Sequence, residues 1–196
     1  AKTGRPFNPM INAGAIVVAS RIKKSPVEAG IQAFVDKMSD AAGRALRIDE
    51  AVLESETLTG NRNRAIAYLL RNFDVIDDGI DHTLHQYFSQ CSLLVTSRDL
   101  AMMGATLANM GTNPVTGEDA FETRYVRDVL AAMFTCGMYD YAGEWIYRIG
   151  MPAKSGVAGG VIAVEVNLKF IWDVITRIRI GRCGFAYVVN REGHLV

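Results

Sequence analysis

The chain has 196 residues, 49% of them hydrophobic and 21% charged, which is enough length and apolar content for one domain with a real core. Its 21 basic residues balance its 21 acidic ones, so the charge does not advertise a nucleic-acid or membrane-surface partner. The cysteines, Cys91, Cys136 and Cys183, are too sparse and odd in number for a disulfide framework and suit reduced thiols. No apolar run has the length of a bilayer span and no signal peptide is visible at Ala1, so the expected location is the cytoplasm. The opening Ala1-Lys2-Thr3-Gly4-Arg5-Pro6 lacks an initiator Met and a leading element, which suits a processed, trimmed or partial chain.

Asn8 to Ala19 is compact and apolar around one polar residue, Asn12. A buried amide without partners costs roughly 1–3 kcal/mol. Asn12 is therefore either a structural amide bonded to nearby backbone or a ligand-binding one. Ser25-Pro26-Val27-Glu28 reads as a capped helix start, with Ser25 as cap, Pro26 in the first turn and Glu28 closing a capping box. Val27, Ile31, Phe34, Val35 and Met38 then recur at helical spacing, and Gly43 ends the segment.

Asp49 to Glu56 is polar, a short helix or strand, and Thr57-Leu58-Thr59-Gly60 breaks it. A helix follows over Asn61–Phe73 with Ala65, Ile66, Leu69 and Leu70 inward. Glu56 just before this helix and Asn63 in its first turn place an acid and an amide near a helix N-terminus. The plainer alternative is a solvated charge run and a helix start. Arg62 and Arg64 read as surface or ion-pair residues.

Asp81 can cap the next helix, which carries Tyr87. His82 and His85 have i, i+3 spacing but no third ligand cluster, so no metal site is expected. Tyr87 is either a core aromatic with its hydroxyl bonded or a proton shuttle whose pKa neighbouring cations lower. Thr96-Ser97-Arg98-Asp99 opens a further helix, with Leu100, Met103, Leu107 and Met110 inward and Gly111 as its stop. Another helix covers roughly Glu122 to Thr135. Lys154-Ser155-Gly156, before the apolar run Val161-Ile162-Ala163-Val164, suits either a Gly-rich turn into a strand or an edge strand beside a nucleophile. Val161–Val166, Phe170–Ile175, Arg177–Ile180 and Phe185–Val189 read as strands. The expected organisation is one domain over 1–196, mainly helical to 150 and mainly strands from 151.

Five blocks together resemble the serine-dependent glutaminases, which have a serine β-lactamase-like fold. They are Asn8 to Ile16, Arg62-Asn63-Arg64-Ala65, Tyr87-Phe88-Ser89-Gln90-Cys91-Ser92, Thr135 to Asp140 and Lys154 to Gly160, in the family's order and at compatible spacing. The resemblance covers about Thr3 to Val164. It implies an α+β fold of the serine β-lactamase/DD-peptidase type, a helical cluster followed by antiparallel strands. It also implies hydrolysis of L-glutamine to L-glutamate and ammonia through an acyl-serine intermediate, without metal or organic cofactor, in a homo-oligomer, tetramer or dimer. The substrate-binding residues it implies are Asn12, Glu56, Asn63, Tyr87, Tyr139 and the backbone N–H of Val157. The catalytic residues it implies are Tyr87, Tyr139 and Lys154.

Two features depart from the family. Its catalytic Ser-x-x-Lys belongs upstream of the Asn12 block. The one local match, Ser20-Arg21-Ile22-Lys23, follows that block and reads as chance. The tail after Val164 also lacks the family's Ser-Pro turn and Gly-Asn-Ser step. The competing readings are a non-catalytic glutamine- or glutamate-binding or self-associating fragment, and a penicillin-binding or β-lactamase-like acyl-serine hydrolase.

Overall fold

The computed structural model describes residues 8–22, 25–77, 79–156 and, for the backbone, 160–163. The strands expected at Phe170–Ile175, Arg177–Ile180 and Phe185–Val189 lie outside the described residues, as does Val157. Two compact units divide the chain, Ala1–Val164 and Glu165–Val196, and every described residue falls in the first.

The elements in order are α1 (Asn12–Ser20), α2 (Val27–Ala42), β1 (Arg47–Ile48), α3 (Glu50–Thr59), α4 (Asn61–Asn72), α5 (Ile80–Cys91), β2 (Leu93–Leu94), α6 (Ser97–Ala108) and α7 (Thr123–Cys136). A 3-10 turn (Tyr139–Tyr141), α8 (Ala142–Arg148), β3 (Ala153–Gly156) and β4 (Gly160–Ala163) complete them. β1 pairs antiparallel with β2, Arg47 opposite Leu94. β3 pairs antiparallel with β4, Ala153 opposite Ala163 and Gly156 opposite Gly160. Among the described residues, β3 and β4 are the elements that follow Met151.

Local chemistry sets several boundaries. Thr96 and Asp99 form a reciprocal capping box at the start of α6, which satisfies two backbone donors that a helix end leaves unpaired. Asp49 caps α3 by accepting from the N–H groups of Ala51 and Val52. That cap makes one helix of Glu50–Thr59, so the expected break at Thr57 falls instead at Gly60. α2 ends as expected at Gly43, whose φ of 68° is left-handed and suits a residue without a Cβ.

Two expected caps differ. Pro26, not Ser25, holds the cap position of α2, and no side chain bonds there. Gly79 precedes α5 without a side-chain cap, and Asp81 lies inside the first turn. On α4 the buried residues are Ala67 and Leu70, while Leu69 is 56% exposed. The 3.6-residue period holds, but the inward face is rotated away from Ala65 and Leu69.

The main core joins Ile16 of α1, Ala67 and Leu70 of α4, and Leu84, Tyr87 and Phe88 of α5, with Leu53 of α3 packed against it. Burying side chains of this size stabilises by about 1.5–3 kcal/mol each. This core fixes α1, α3, α4 and α5 as one wall. A smaller cluster of Met138, Ala142 and Ala153, covered by Trp145, holds α8 and β3 together. The Trp145 indole N–H donates to the Met151 carbonyl at 2.9 Å.

Candidate active site

Among the described candidate residues Tyr87 is the most deeply buried. It lies on α5 facing the core and is 7% exposed. Its phenol is pushed well above the ordinary tyrosine range, first by burial, then by the neighbouring Cys91 thiol, Glu56 and Tyr139. That is the reverse of the lowered pKa expected if cations dominated its surroundings. An apolar wall and a nearby carboxylate both disfavour a phenolate. Tyr87 is therefore a neutral hydroxyl here, able to donate or relay a proton but not resting as a base.

Cys91 lies one helical turn further along α5, on the side of Tyr87. Cys91 is exposed as a residue, and partial desolvation of its thiol, with the charge of Glu56, raises its pKa. Glu56, in the penultimate turn of α3, is half-buried. Asn63 sits in the first turn of α4 and takes a 2.9 Å hydrogen bond at its Oδ1 from Nδ2 of Asn12, the first residue of α1. Asn12 is exposed rather than buried, so it is not a core amide searching for backbone. Among the described residues neither amide makes a further side-chain bond, which leaves the second N–H of Asn12 and both of Asn63 available.

The other side is built by the chain after α7. Gly137 meets β3 so closely that a Cβ there would lie 1.8 Å from the Ala153 carbonyl oxygen, and only glycine fits. The Ser155 N–H donates to the Gly137 carbonyl at 3.1 Å. This contact sets Lys154 beside Tyr139, with its Nζ 4.9 Å from the ring centroid, inside cation–π range. Lys154 Nζ also donates to the Ser155 carbonyl. Tyr139 holds a left-handed φ of 53°, a conformation that costs a non-glycine residue of order 1–3 kcal/mol and recurs at functional sites.

The structure thus joins Asn12 with Asn63 by a hydrogen bond and Tyr139 with Lys154 by a ring contact, while Glu56 and Tyr139 act on Tyr87 through their charge. Tyr87 is buried, Glu56, Asn63 and Lys154 are half-buried, and Asn12 and Tyr139 are exposed. Among the described residues neither Glu56 nor Lys154 has an oppositely charged partner at ion-pair distance. Glu56, Lys154 and the two amides thus retain bonding capacity, and Tyr87 offers a neutral phenol. That set can receive a small zwitterion.

Sequence reasoning missed three side chains. Asn8 donates to the Cys136 carbonyl at 3.2 Å and ties the first block to the fourth. Cys91 stands one turn from Tyr87 on α5 and acts on its pKa; its signal was the i, i+4 spacing. Arg64 is half-buried and joins no ion pair among the described residues, contrary to the surface or ion-pair reading. The Ser20 hydroxyl donates to the Val17 carbonyl at 2.7 Å, at the end of α1, in keeping with a chance Ser-x-x-Lys match. Among the described residues no group of three or more His, Cys, Asp and Glu could hold a metal ion. A cavity of about 350 Å³ is lined by Ser20, Asp77, His82 and Gln86 among others, and by none of the candidate residues.

The family model described as Glutaminase matches residues 1–170. The chain is 56% identical over 159 residues to Glutaminase 2 of Bradyrhizobium diazoefficiens, covering 81% of this chain and 26% of that protein. It is 49% identical over 167 residues to the glutaminase of a Nostoc species, covering 85% of this chain and 50% of the relative. It thus spans about half or less of the length of these curated relatives. Among solved structures, Mglu in its native form superposes with a TM-score of 0.80 at 41% identity, over 85% of this chain and 40% of that one. The same protein in its glutamate form gives 0.78 at 41% identity, over 82% and 37%. The helical cluster with a small antiparallel sheet is thus the α+β, serine β-lactamase-like fold of solved glutaminases.

Proposed function

We infer the function from one premise: the chain belongs to the glutaminase family. It is part of an amidohydrolase that converts L-glutamine and water to L-glutamate and ammonia through an acyl-serine intermediate. The observation that supports this reading is the hydrogen bond that joins Asn12 on α1 to Asn63 on α4, on the helical wall whose core includes Tyr87, together with Lys154 beside Tyr139.

Each end of glutamine meets the chemistry it needs. The α-ammonium pairs with the Glu56 carboxylate. The α-carboxylate accepts from the free N–H groups of Asn12 and Asn63 and from a tyrosine hydroxyl. In the Asn12–Asn63 bond Asn63 accepts, so both N–H donors of its amide remain for a ligand.

A serine of a Ser-x-x-Lys motif, contributed from outside residues 1–196, attacks the side-chain amide carbon. The oxyanion that forms is assigned to the backbone N–H of Val157 by resemblance to the family. Tyr87 relays the serine proton to the departing nitrogen, so the C–N bond breaks as ammonia leaves. Water then attacks the ester, and Tyr87 passes a proton of that water to the serine oxygen as the ester C–O bond breaks and glutamate is released. A relay accepts one proton as it gives another, so it needs no resting phenolate. That accords with a pKa held high. Lys154 supplies positive potential beside Tyr139, and Tyr139 orients substrate and Tyr87. No metal or organic cofactor takes part. The working assembly is a homo-oligomer, tetramer or dimer, in the cytoplasm. Among the described residues no helix is long and apolar enough to cross a membrane.

The test is ammonia release from L-glutamine by the intact protein. The expected result is saturable release that stops when Tyr87 is changed to Phe. Glutamine binding without ammonia would make this a binding protein, and stable acylation by a labelled β-lactam would make it a β-lactamase-like hydrolase.

A further inference from the structure

Arg64 touches three of the candidate segments at once. It follows Asn63 on α4. Its Nη2 donates to the carbonyl of Thr57, the residue after Glu56. Its Cζ lies 5.5 Å from the ring centroid of Phe88, the residue after Tyr87, a cation–π distance. The Arg64 N–H donates to the Gly60 carbonyl at 3.0 Å, which seats the side chain over the α3–α4 corner.

That corner has no slack. A Cβ on Gly60 would come within 2.5 Å of both the Glu56 carbonyl oxygen and Phe88 Cζ. Phe88 itself is 2% exposed, and its ring centroid is 5.8 Å from that of Tyr87. Gly60 and Arg64 therefore grip Phe88 between them, and the corner they grip with carries Glu56 on one arm and Asn63 on the other.

A charged side chain is a costly way to do this. Nη1 of Arg64 is buried with no hydrogen-bond partner, and no carboxylate neutralises the guanidinium among the described residues. An aliphatic residue would cover Phe88 without leaving a polar group unsatisfied. What it could not do is hold the Thr57 carbonyl and stack on a ring with one planar group. A lysine can make one of these contacts but lacks the fork for both.

We propose that Arg64 is a positioning residue of the substrate site: it fixes the distance between the Glu56–Asn63 corner and Tyr87. The role rests on the glutaminase reading. The test compares wild type, Arg64→Met, Arg64→Lys, Glu56→Gln and the Arg64→Met/Glu56→Gln double variant in the intact protein. It measures steady-state ammonia release, thermal unfolding and amide hydrogen exchange over residues 50–64.

The expected result for Arg64→Met is a kcat/KM lower by about tenfold to a hundredfold, carried mostly by KM, because displacement of binding groups by an ångström is that costly. Arg64→Lys recovers part of the loss. The double variant is little worse than Glu56→Gln alone, since both changes act through one contact. Exchange over residues 50–64 quickens in Arg64→Met. A purely structural role would lower the unfolding temperature and the active fraction but leave KM at the wild-type value, and that result overturns the proposal. So do independent, additive losses in the double variant. If wild type releases no ammonia, the glutaminase reading and the positioning role both fall. The exchange data still report the grip on Phe88, so the two failures are told apart.

Discussion

Two regions of the molecule spend their polar groups in opposite ways. Where α2 meets α6, every buried polar group is saturated. Asp99 is 4% exposed, and its carboxylate accepts from Arg44 Nε at 2.7 Å and Nη2 at 2.5 Å, and from the Thr96 N–H and hydroxyl at 2.7 and 2.8 Å. Asn113, fully buried, donates to the carbonyls of Asp40 and Ala41 and accepts from the N–H groups of Val115 and Thr116. Thr106 donates to the Ala41 carbonyl at 2.9 Å. Around Tyr87 the accounts stay open. Asn12 and Asn63 share a single bond, and Glu56 and Lys154 lack opposite charges among the described residues. A buried polar network that is complete holds a fold. One left incomplete at an accessible surface has capacity for a ligand.

This contrast predicts which changes strike activity and which strike stability. The largest effect belongs to Tyr87→Phe, which should lower ammonia release by about 10²–10⁴-fold, the range of a lost proton-transfer group. The unfolding temperature should move little, because the ring keeps its place in the core. Near-normal turnover would remove the hydroxyl from the mechanism.

Glu56→Gln comes next. It should raise KM for glutamine about tenfold or more, as expected for loss of a charge-assisted bond to the ammonium, with a smaller change in kcat. Unchanged steady-state constants would mark Glu56 as a surface acid only.

Asp99→Asn sharpens the comparison from the other side. It should lower the unfolding temperature by several degrees while KM stays at the wild-type value; a changed KM would blur the two regions. The Arg44 hydrogen bond, then the Thr96 N–H, hold the Asp99 carboxyl well below the usual carboxylate range. A depressed carboxyl contributes stability that is present above the unfolded pKa of about 3.9 and is lost as pH falls through the lower folded value. Wild type should therefore lose this contribution in acid below about pH 4, and Asp99→Asn should not show that part of the loss. The smallest effect is expected for Val157→Ala, because the proposed contribution is a backbone N–H that alanine also carries; a large loss in the same assay would assign the role to the side chain.

The sequence showed which blocks matter better than it showed how they meet. Thr96 and Asp99 announced their helix start because a capping box is local chemistry, complete within four residues. Gly43 announced a helix end for the same reason. Ser25 and Asp81 were misread because a cap also depends on how the preceding chain enters the helix. Leu69 was misplaced because an apolar period fixes a face only to within part of a turn. In the site, residue types pointed to Tyr87, Glu56 and the two asparagines. No local pattern, however, could show that Asn12 and Asn63, 51 residues apart, share a bond. Nor could it show that Tyr87 lies in surroundings that raise its pKa, since that comes from the tertiary wall and from Glu56 on another helix. Arg64 was hidden for the same reason: its partners are a carbonyl and a ring, which leave no mark in a charge pattern.

The most direct measurement of the central claim is a crystal structure of the intact protein with L-glutamate bound. The account predicts the α-ammonium at hydrogen-bond distance from the Glu56 carboxylate, the α-carboxylate on the side-chain N–H groups of Asn12 and Asn63, and the distal carboxylate beside the Tyr87 hydroxyl. Glutamate bound with Glu56 and Tyr87 both out of contact would contradict it.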